Sequence, residues 1–200
     1  MPGIAIPHEI GSIKLPDPAS DRARPLIDLL AKRHSARDFS PKPLSLDVLS
    51  ALLWAAFGIN RSATNGRTAP SAHDWQEIEV FAVLPDAAYR YDAAAHTLRL
   101  VRTGDLRALT GTQDFVGGAA LDLVYVADFG KMGGATAEQR TFFASADAAV
   151  IAQNVYLFCA ATDLATVVRG LVDRRKLAAA LGLAERERIV LAQSVGYPAR

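Results

Sequence analysis

The sequence has few of the residues and motifs that mark several common kinds of site. It holds a single cysteine, Cys159, so an intrachain disulfide and a cysteine-based zinc cluster are both excluded. The four histidines, His8, His34, His73 and His96, form no H-E-x-x-H or H-x-x-x-H pair, which leaves a metal site without support. The chain contains no G-x-G-x-x-G fingerprint, no P-loop and no G-x-S-x-G elbow. We therefore expect neither a Rossmann dinucleotide site nor a hydrolase triad.

The chain also has no excess of charge of one sign. Lys and Arg total 22 against 21 for Asp and Glu, a formal net charge of +1 that argues against a nucleic-acid partner. The most apolar stretch, residues 144–164, is interrupted by Asp147, Gln153, Asn154 and Asp163. Such groups are costly at the centre of a bilayer, so we expect a buried helix and no membrane partner. The N-terminus lacks a basic segment followed by an apolar core, and a cytoplasmic protein is expected.

The residues that are present suit one packed domain. The chain has 200 residues, of which 50% are hydrophobic, enough for a sizeable core. Residues 1–23 contain four prolines and little periodicity, which predicts an extended N-terminal arm. Residues 24–200 are expected to form a single domain.

Apolar periodicity and turn residues predict a mixed order of helices and strands. Helices are predicted over 24–32, from a cap at Ser45 to Phe57, over 136–163 and over 173–181, and strands over 77–84, 88–92, 97–102, 120–127 and 188–196. Residues 59–77 are predicted to form a long loop, and residues 166–170 a link between two helices, although Gly170 could instead expose an N–H to a ligand. Helices and strands do not alternate, which favours a layered α+β domain over a doubly wound sheet.

Two polar segments are candidates for ligand binding. If residues 33–37 are extended, Arg33, Ser35 and Arg37 project to the same side, where two guanidinium groups and a hydroxyl suit a phosphate monoester. In the second segment Asp74 and Gln76 could bond the polar edge of a flat ligand. A solvated basic turn and an ordinary surface loop are the alternative interpretations of these two segments.

Several blocks, taken together and in order, resemble the FMN-dependent nitroreductase family, and most of all its branch with SagB-type azoline dehydrogenase-like domains. The blocks are RHSARDF at 33–39, LLWAAFGINR at 52–61, RTAPSA at 67–72, QNVYLFCAATDLATVVRG at 153–170 and VGYP at 195–198. The resemblance implies an α+β fold with a central, mostly antiparallel sheet flanked by helices. It also implies an intertwined homodimer with two FMN sites at the interface.

The resemblance implies roles for residues of each block. Arg33 and Ser35 would hold the FMN phosphate with His34 nearby, and Arg37 would approach the phosphate or the pyrimidine side of the flavin. The loop that the partner subunit lays beside the flavin corresponds to Pro70, Ser71, Ala72 and Asp74, with Gln76 as a polar position at its end. The remaining implied contacts are Gln113 at the pyrimidine, the backbone of Val168, Arg169 and Gly170 at the flavin O4/N5 edge, and Arg200 at the phosphate.

The family also implies the chemistry. NADH or NADPH would pass a hydride to flavin N5, and a nitroaromatic, quinone or similar planar acceptor would then take the electrons in a ping-pong cycle. No protein acid or base is required for the hydride step. Two alternatives remain open: a SagB-like flavin dehydrogenase acting on an azoline-type ring, which needs a base near the flavin, and a flavin-binding or storage module without turnover.

Overall fold

A computed structural model of the protein describes residues 11–18 and 24–199. Most of the predicted N-terminal arm, together with Arg200, lies outside the described residues. The strands are β1 Ser12–Lys14, β2 Ile59–Arg61, β3 Gly66–Arg67, β4 Ile78–Val83, β5 Ala87–Asp92, β6 Thr97–Thr103, β7 Leu121–Asp128, β8 Ala165–Arg169 and β9 Glu187–Gly196. The helices are α1 Leu26–Lys32, α2 Leu46–Phe57, α3 Ala137–Ala161 and α4 Arg174–Leu181.

Seven of the strands form one sheet in the order β1-β6-β5-β4-β7-β9-β8, and each described pairing is antiparallel. The central strands are apolar on both sides, since Val80 and Ala82 pack towards α2 and α3 while Phe81 and Val83 pack towards α4. A sheet covered by helices on both faces explains why the sequence of β7 is apolar without alternation. The expected α+β class with a mostly antiparallel sheet is confirmed.

The helix ends follow the local signals in the sequence. Ser45 Oγ accepts a hydrogen bond from Val48 N at 3.3 Å at the start of α2. At the start of α3, Thr136 and Gln139 form a capping box, in which each side chain accepts from the other residue's backbone N–H. After α4, Gly182 has a φ of +66°, a left-handed conformation that favours glycine and ends the helix.

Two predictions for the chain path are wrong. Residues 59–77 were expected to form a long loop, but they contain the paired strands β2 and β3. Residues 166–170 were expected to link two helices, but Ala165–Arg169 is the edge strand β8, which pairs with β9. Three β-branched residues in a row, Thr166 to Val168, favour a strand, and their pairing places the end of β8 beside the candidate site. Within the predicted N-terminal arm, Ser12–Lys14 pairs with β6 as the opposite edge strand.

The long helix α3 packs on the sheet beside α2. By length and composition it is apolar enough to cross a membrane, but its buried face, which includes Asp147, lies in the core. Cys159 is buried on the same face, as its apolar surroundings predict.

Candidate functional site

Tyr156 of α3 joins two segments that the sequence analysis selected. Its hydroxyl lies 2.7 Å from Ser35 Oγ and accepts a hydrogen bond from Val168 N at 3.0 Å. The guanidinium of Arg33 lies over the same ring, 5.3 Å from its centroid. Arg33 and Ser35 therefore project to the same side of their segment, as expected, and both reach Tyr156.

A third segment meets the first two at the end of β8. Ala36 N donates to Thr166 O at 3.0 Å, which fixes the basic segment along the edge strand. Thr112 N donates to Leu171 O at 3.3 Å, and this contact brings the half-buried Gln113 to the same region. The rings of Phe39 and Phe115 are 6.1 Å apart and connect the outer ends of two of these segments. Residues 33–39, 112–115 and 166–171 thus form one surface.

Arg169 contributes to this surface through its backbone, because its side chain is turned into the interior. The residue is 4% exposed, and its guanidinium donates to Asp122 Oδ1 at 2.7 Å and to Thr110 O at 2.8 Å. A Cβ at Gly111 would overlap Arg169 Nη1, so the passing backbone requires glycine. Burial raises the pKa of Asp122 to about 7, although the positive charge of Arg169 opposes the rise. This buried pair fixes the backbone that leads to Gln113.

The side chains of the loop 70–76 bond one another. Gln76 Nε2 donates to Asp74 Oδ1 at 2.9 Å, Arg67 Nε donates to Gln76 Oε1 at 2.8 Å, and Gln76 N donates to Ser71 Oγ at 2.9 Å. His73, Asp74 and Gln76 all have positive φ values of 47–54°. Such backbone costs free energy in residues other than glycine, and the surrounding contacts hold it in place. In the single chain, the side chains of Asp74 and Gln76 are therefore hydrogen-bonded to each other.

The loop 70–76 lies apart from the surface around Tyr156. Ala72 N donates to Asp147 Oδ2 at 2.8 Å, and Asp147 precedes Tyr156 by nine residues of α3. Nine residues of α-helix correspond to about 14 Å along the axis. The chain thus brings together the predicted residues of 33–37, Gln113 and 168–170, and leaves the predicted residues of 70–76 at a second location.

The donor set around Tyr156 fits a phosphate group. Arg33 is half-buried, while His34, Ser35 and Arg37 are exposed, and residues 33–37 include no acidic residue, although the exposed Asp38 follows them. Guanidinium groups and hydroxyls are strong donors to phosphate oxygens. The sequence analysis did not select Tyr156, which connects the site. The available signal was that a tyrosine in an apolar helix needs a partner for its hydroxyl.

Two helices carry large apolar side chains on the protein surface. On α1, Ile27 is 74% exposed and its neighbours Leu26 and Leu30 are also exposed. On α3, Phe142 is 67% exposed, and Val150 is exposed on the same side two turns later. Exposed apolar groups of this size are typical of a protein interface.

Comparisons with known proteins identify the family and support the fold. The model of a family described as the nitroreductase family matches residues 30–197. A crystal structure of a provisionally assigned nitroreductase from Ralstonia eutropha JMP134 has a TM-score of 0.90 at 46% identity, covering 94% of this chain and 90% of that one. A provisionally assigned nitroreductase of Methanocaldococcus jannaschii is 28% identical over 168 residues, 79% of this chain and 83% of its own. A further one from Desulfovibrio desulfuricans, solved in complex with FMN, has a TM-score of 0.64 at 21% identity, covering 89% and 88%.

Proposed function

This chain belongs to the nitroreductase family, and from that premise we propose that it is an FMN-dependent oxidoreductase using NADH or NADPH. The observation that carries the proposal is the meeting of Arg33, Ser35 and Val168 at Tyr156. This contact brings hydrogen-bond donors that suit a phosphate group next to the backbone at the end of the edge strand β8. The FMN bound in the Desulfovibrio desulfuricans relative supports the choice of cofactor.

We assign the residues around Tyr156 to cofactor binding. Arg33, Ser35 and Arg37 hold the phosphate of FMN with His34 beside them, since they offer two guanidinium groups and a hydroxyl as donors. Gln113 lies on the segment next to the end of β8 and binds the pyrimidine side of the ring. The backbone at 168–170, which ends at the exposed Gly170, faces the reactive edge of the flavin.

When bound, FMN supplies the hydride chemistry, accepting from NADH or NADPH and donating to a nitroaromatic, a quinone or a similar planar compound. The chain supplies binding and orientation. Positive charge from Arg33 and Arg37 stabilises an anionic ligand, and the buried Asp122–Arg169 pair holds the neighbouring backbone in place.

We propose that the active form is a homodimer. The exposed apolar faces of α1 and α3 support it, because a second copy would cover them. In that assembly the loop 70–76, which is distant from Tyr156 in its own chain, serves the flavin of the partner subunit through Pro70, Ser71, Ala72 and Asp74. We also propose that the protein is located in the cytoplasm.

The first experiment is the visible absorption spectrum of the purified protein, before and after NADH or NADPH is added without oxygen. A two-banded yellow spectrum that bleaches supports the proposal and identifies the donor. A yellow protein that fails to bleach favours the azoline-type dehydrogenase or the storage module. A colourless protein that takes up no added FMN contradicts the proposal.

A further inference from the structure

Two carboxyl groups are buried together beneath the loop 70–76. Glu77 is 0% exposed and Asp147 is 6% exposed. The loop holds both through adjacent residues, since Ser71 Oγ donates to Glu77 Oε2 at 3.2 Å and Ala72 N donates to Asp147 Oδ2 at 2.8 Å. Because Ser71 and Ala72 are adjacent in the loop, the two carboxyl groups that they bond lie close together. The site thus links the loop to the middle of α3.

The pair cannot be stable with both groups ionised. Two carboxylates offer only acceptors, and like charges in a buried site oppose each other. Glu77 Oε1 is buried and has no hydrogen-bond partner among the described residues when Glu77 carries no proton. A proton on Glu77 gives this carboxyl a donor towards Asp147 and removes one of the two charges. Burial and the charge of Asp147 both raise the pKa of Glu77.

Two of the charged groups nearby have other partners, whereas Arg140 Nε is buried without a hydrogen-bond partner among the described residues. The other ionisable side chains on the loop, helix and strands around the pair are His73, Asp74, Glu79, Asp128, Lys131 and Arg140. Lys131 Nζ donates to Glu79 Oε1 at 3.2 Å. Asp128 Oδ1 accepts from Arg186 at 3.0 Å. The charge that acts on Glu77 is therefore chiefly that of Asp147, of the same sign.

We infer that Glu77 and Asp147 share one proton and act as positioning residues, which hold Ser71 and Ala72, and with them the loop 70–76, against α3. The attachment of the loop stands on the contacts described above. Its effect on FMN rests on the proposed function, because that function assigns the loop to the flavin site of the partner subunit.

The sign of the pH dependence follows from the shared proton. A group whose pKa is raised in the folded protein loses its stabilising contribution as the pH rises through that pKa. At higher pH the pair carries two charges, and one carboxylate gains by moving into water. The positive φ values at His73, Asp74 and Gln76 cost free energy, so the loop relaxes once this attachment is lost. We expect the loop to be docked at low pH and released at high pH.

Trp75 reports directly on the loop, because its ring stacks on His73 at 4.4 Å and contacts Phe143 of α3 at 5.9 Å. Substituting Trp54→Phe leaves Trp75 as the only tryptophan. In this background we expect the fluorescence of the flavin-free protein to show a pH transition above the usual range of a glutamate, because burial raises the pKa of Glu77. Adding Glu77→Gln should abolish it, since the amide donates to Asp147 without titrating. His73→Asn should retain it, which excludes the ring of His73 as its source.

Asp147→Asn provides the second variant and should move the transition to lower pH, because it removes the like charge that raises the pKa of Glu77. A transition that is unchanged in both Glu77→Gln and Asp147→Asn overturns the inference, as does a flat titration of the Trp54→Phe protein. Circular dichroism establishes that each variant is folded.

FMN titration separates this inference from the proposed function. We expect the Kd for FMN to rise by up to about tenfold per pH unit above the transition in the wild type, and to rise far less in Glu77→Gln. A fluorescence transition that depends on Glu77, accompanied by an unchanged Kd, upholds the shared proton and contradicts the role of the loop in flavin binding.

Discussion

The guanidinium of Arg33 lies over the ring of Tyr156, 5.3 Å from its centroid, although the two residues belong to different helical regions of the chain. A cation over an aromatic face is stabilised, and the contact limits the conformations of a long side chain. Less conformational entropy is then lost when Arg33 binds an anion. By limiting the conformations of Arg33, the Tyr156 ring favours the proposed binding of a phosphate group to the basic segment.

The first prediction concerns Arg33. We expect Arg33→Ala to weaken FMN binding by about tenfold or more, because a hydrogen bond to a charged group contributes about 1.5–3 kcal/mol. Fluorescence titration of the flavin-free protein measures the Kd. Arg175→Ala on α4 is the control, since it removes an exposed positive charge from the opposite face of the sheet. Unchanged FMN occupancy in Arg33→Ala would show that the phosphate lies elsewhere.

The second prediction concerns the hydroxyl of Tyr156. Tyr156→Phe removes the hydroxyl that bonds Ser35 Oγ and Val168 N. We expect a loss of about 1 kcal/mol in the free energy of unfolding, together with weaker FMN binding. Urea unfolding and FMN titration measure the two effects. Tyr89→Phe is the matched control, because the hydroxyl of Tyr89 bonds Asp86 far from the site. Equal effects of both substitutions on FMN binding would contradict a special role for Tyr156.

The sequence predicted the features that depend on local signals. The caps at Ser45 and Gly182 lie within a few residues of the ends that they define, so the helices α2 and α4 could be predicted with their limits. β8 was missed because its five residues gain their stability from pairing with β9, which begins 18 residues after β8 ends. Strand pairing over such distances depends on tertiary packing, so a short stretch of sequence does not show it.

The same limit applied to the site. The basic segment at 33–37 could be selected from its residue types, but its contact with Tyr156 spans 121 residues of sequence. The buried partner of Arg169 is 47 residues away at Asp122, a contact that the sequence analysis did not predict. Residue chemistry identifies candidates, whereas the fold decides which groups meet.

The third prediction concerns assembly. Phe142→Glu places a charge on the exposed apolar face of α3, and we expect it to convert a dimer into a monomer at micromolar concentration and to weaken FMN binding. Analytical ultracentrifugation measures the mass. Val101→Glu is the control, since Val101 is an exposed apolar residue on β6, towards the far edge of the sheet. A Phe142→Glu protein that remains a dimer would place the interface elsewhere.

The fourth prediction concerns Asp122, whose pKa burial raises to about 7. An unfolded aspartate titrates near pH 4, so between about pH 4 and about pH 7 the folded state binds a proton that the unfolded state has lost. The contribution of Asp122 to stability is therefore greatest at the acid end of this interval, falls by up to about 1.4 kcal/mol per pH unit, and is constant above it. Asp122→Asn removes this slope.

The measurement is the free energy of unfolding in urea for the wild type and Asp122→Asn across that interval. We expect the difference between them to shrink as the pH rises towards 7. Asp114→Asn corrects for the loss of one exposed carboxylate elsewhere on the surface. A difference that stays constant across this interval would show that Arg169 keeps Asp122 ionised throughout, because a carboxylate with a lowered pKa is ionised in both the folded and the unfolded state above about pH 4. The buried pair would then hold the backbone at Thr110 by charge alone, without a proton.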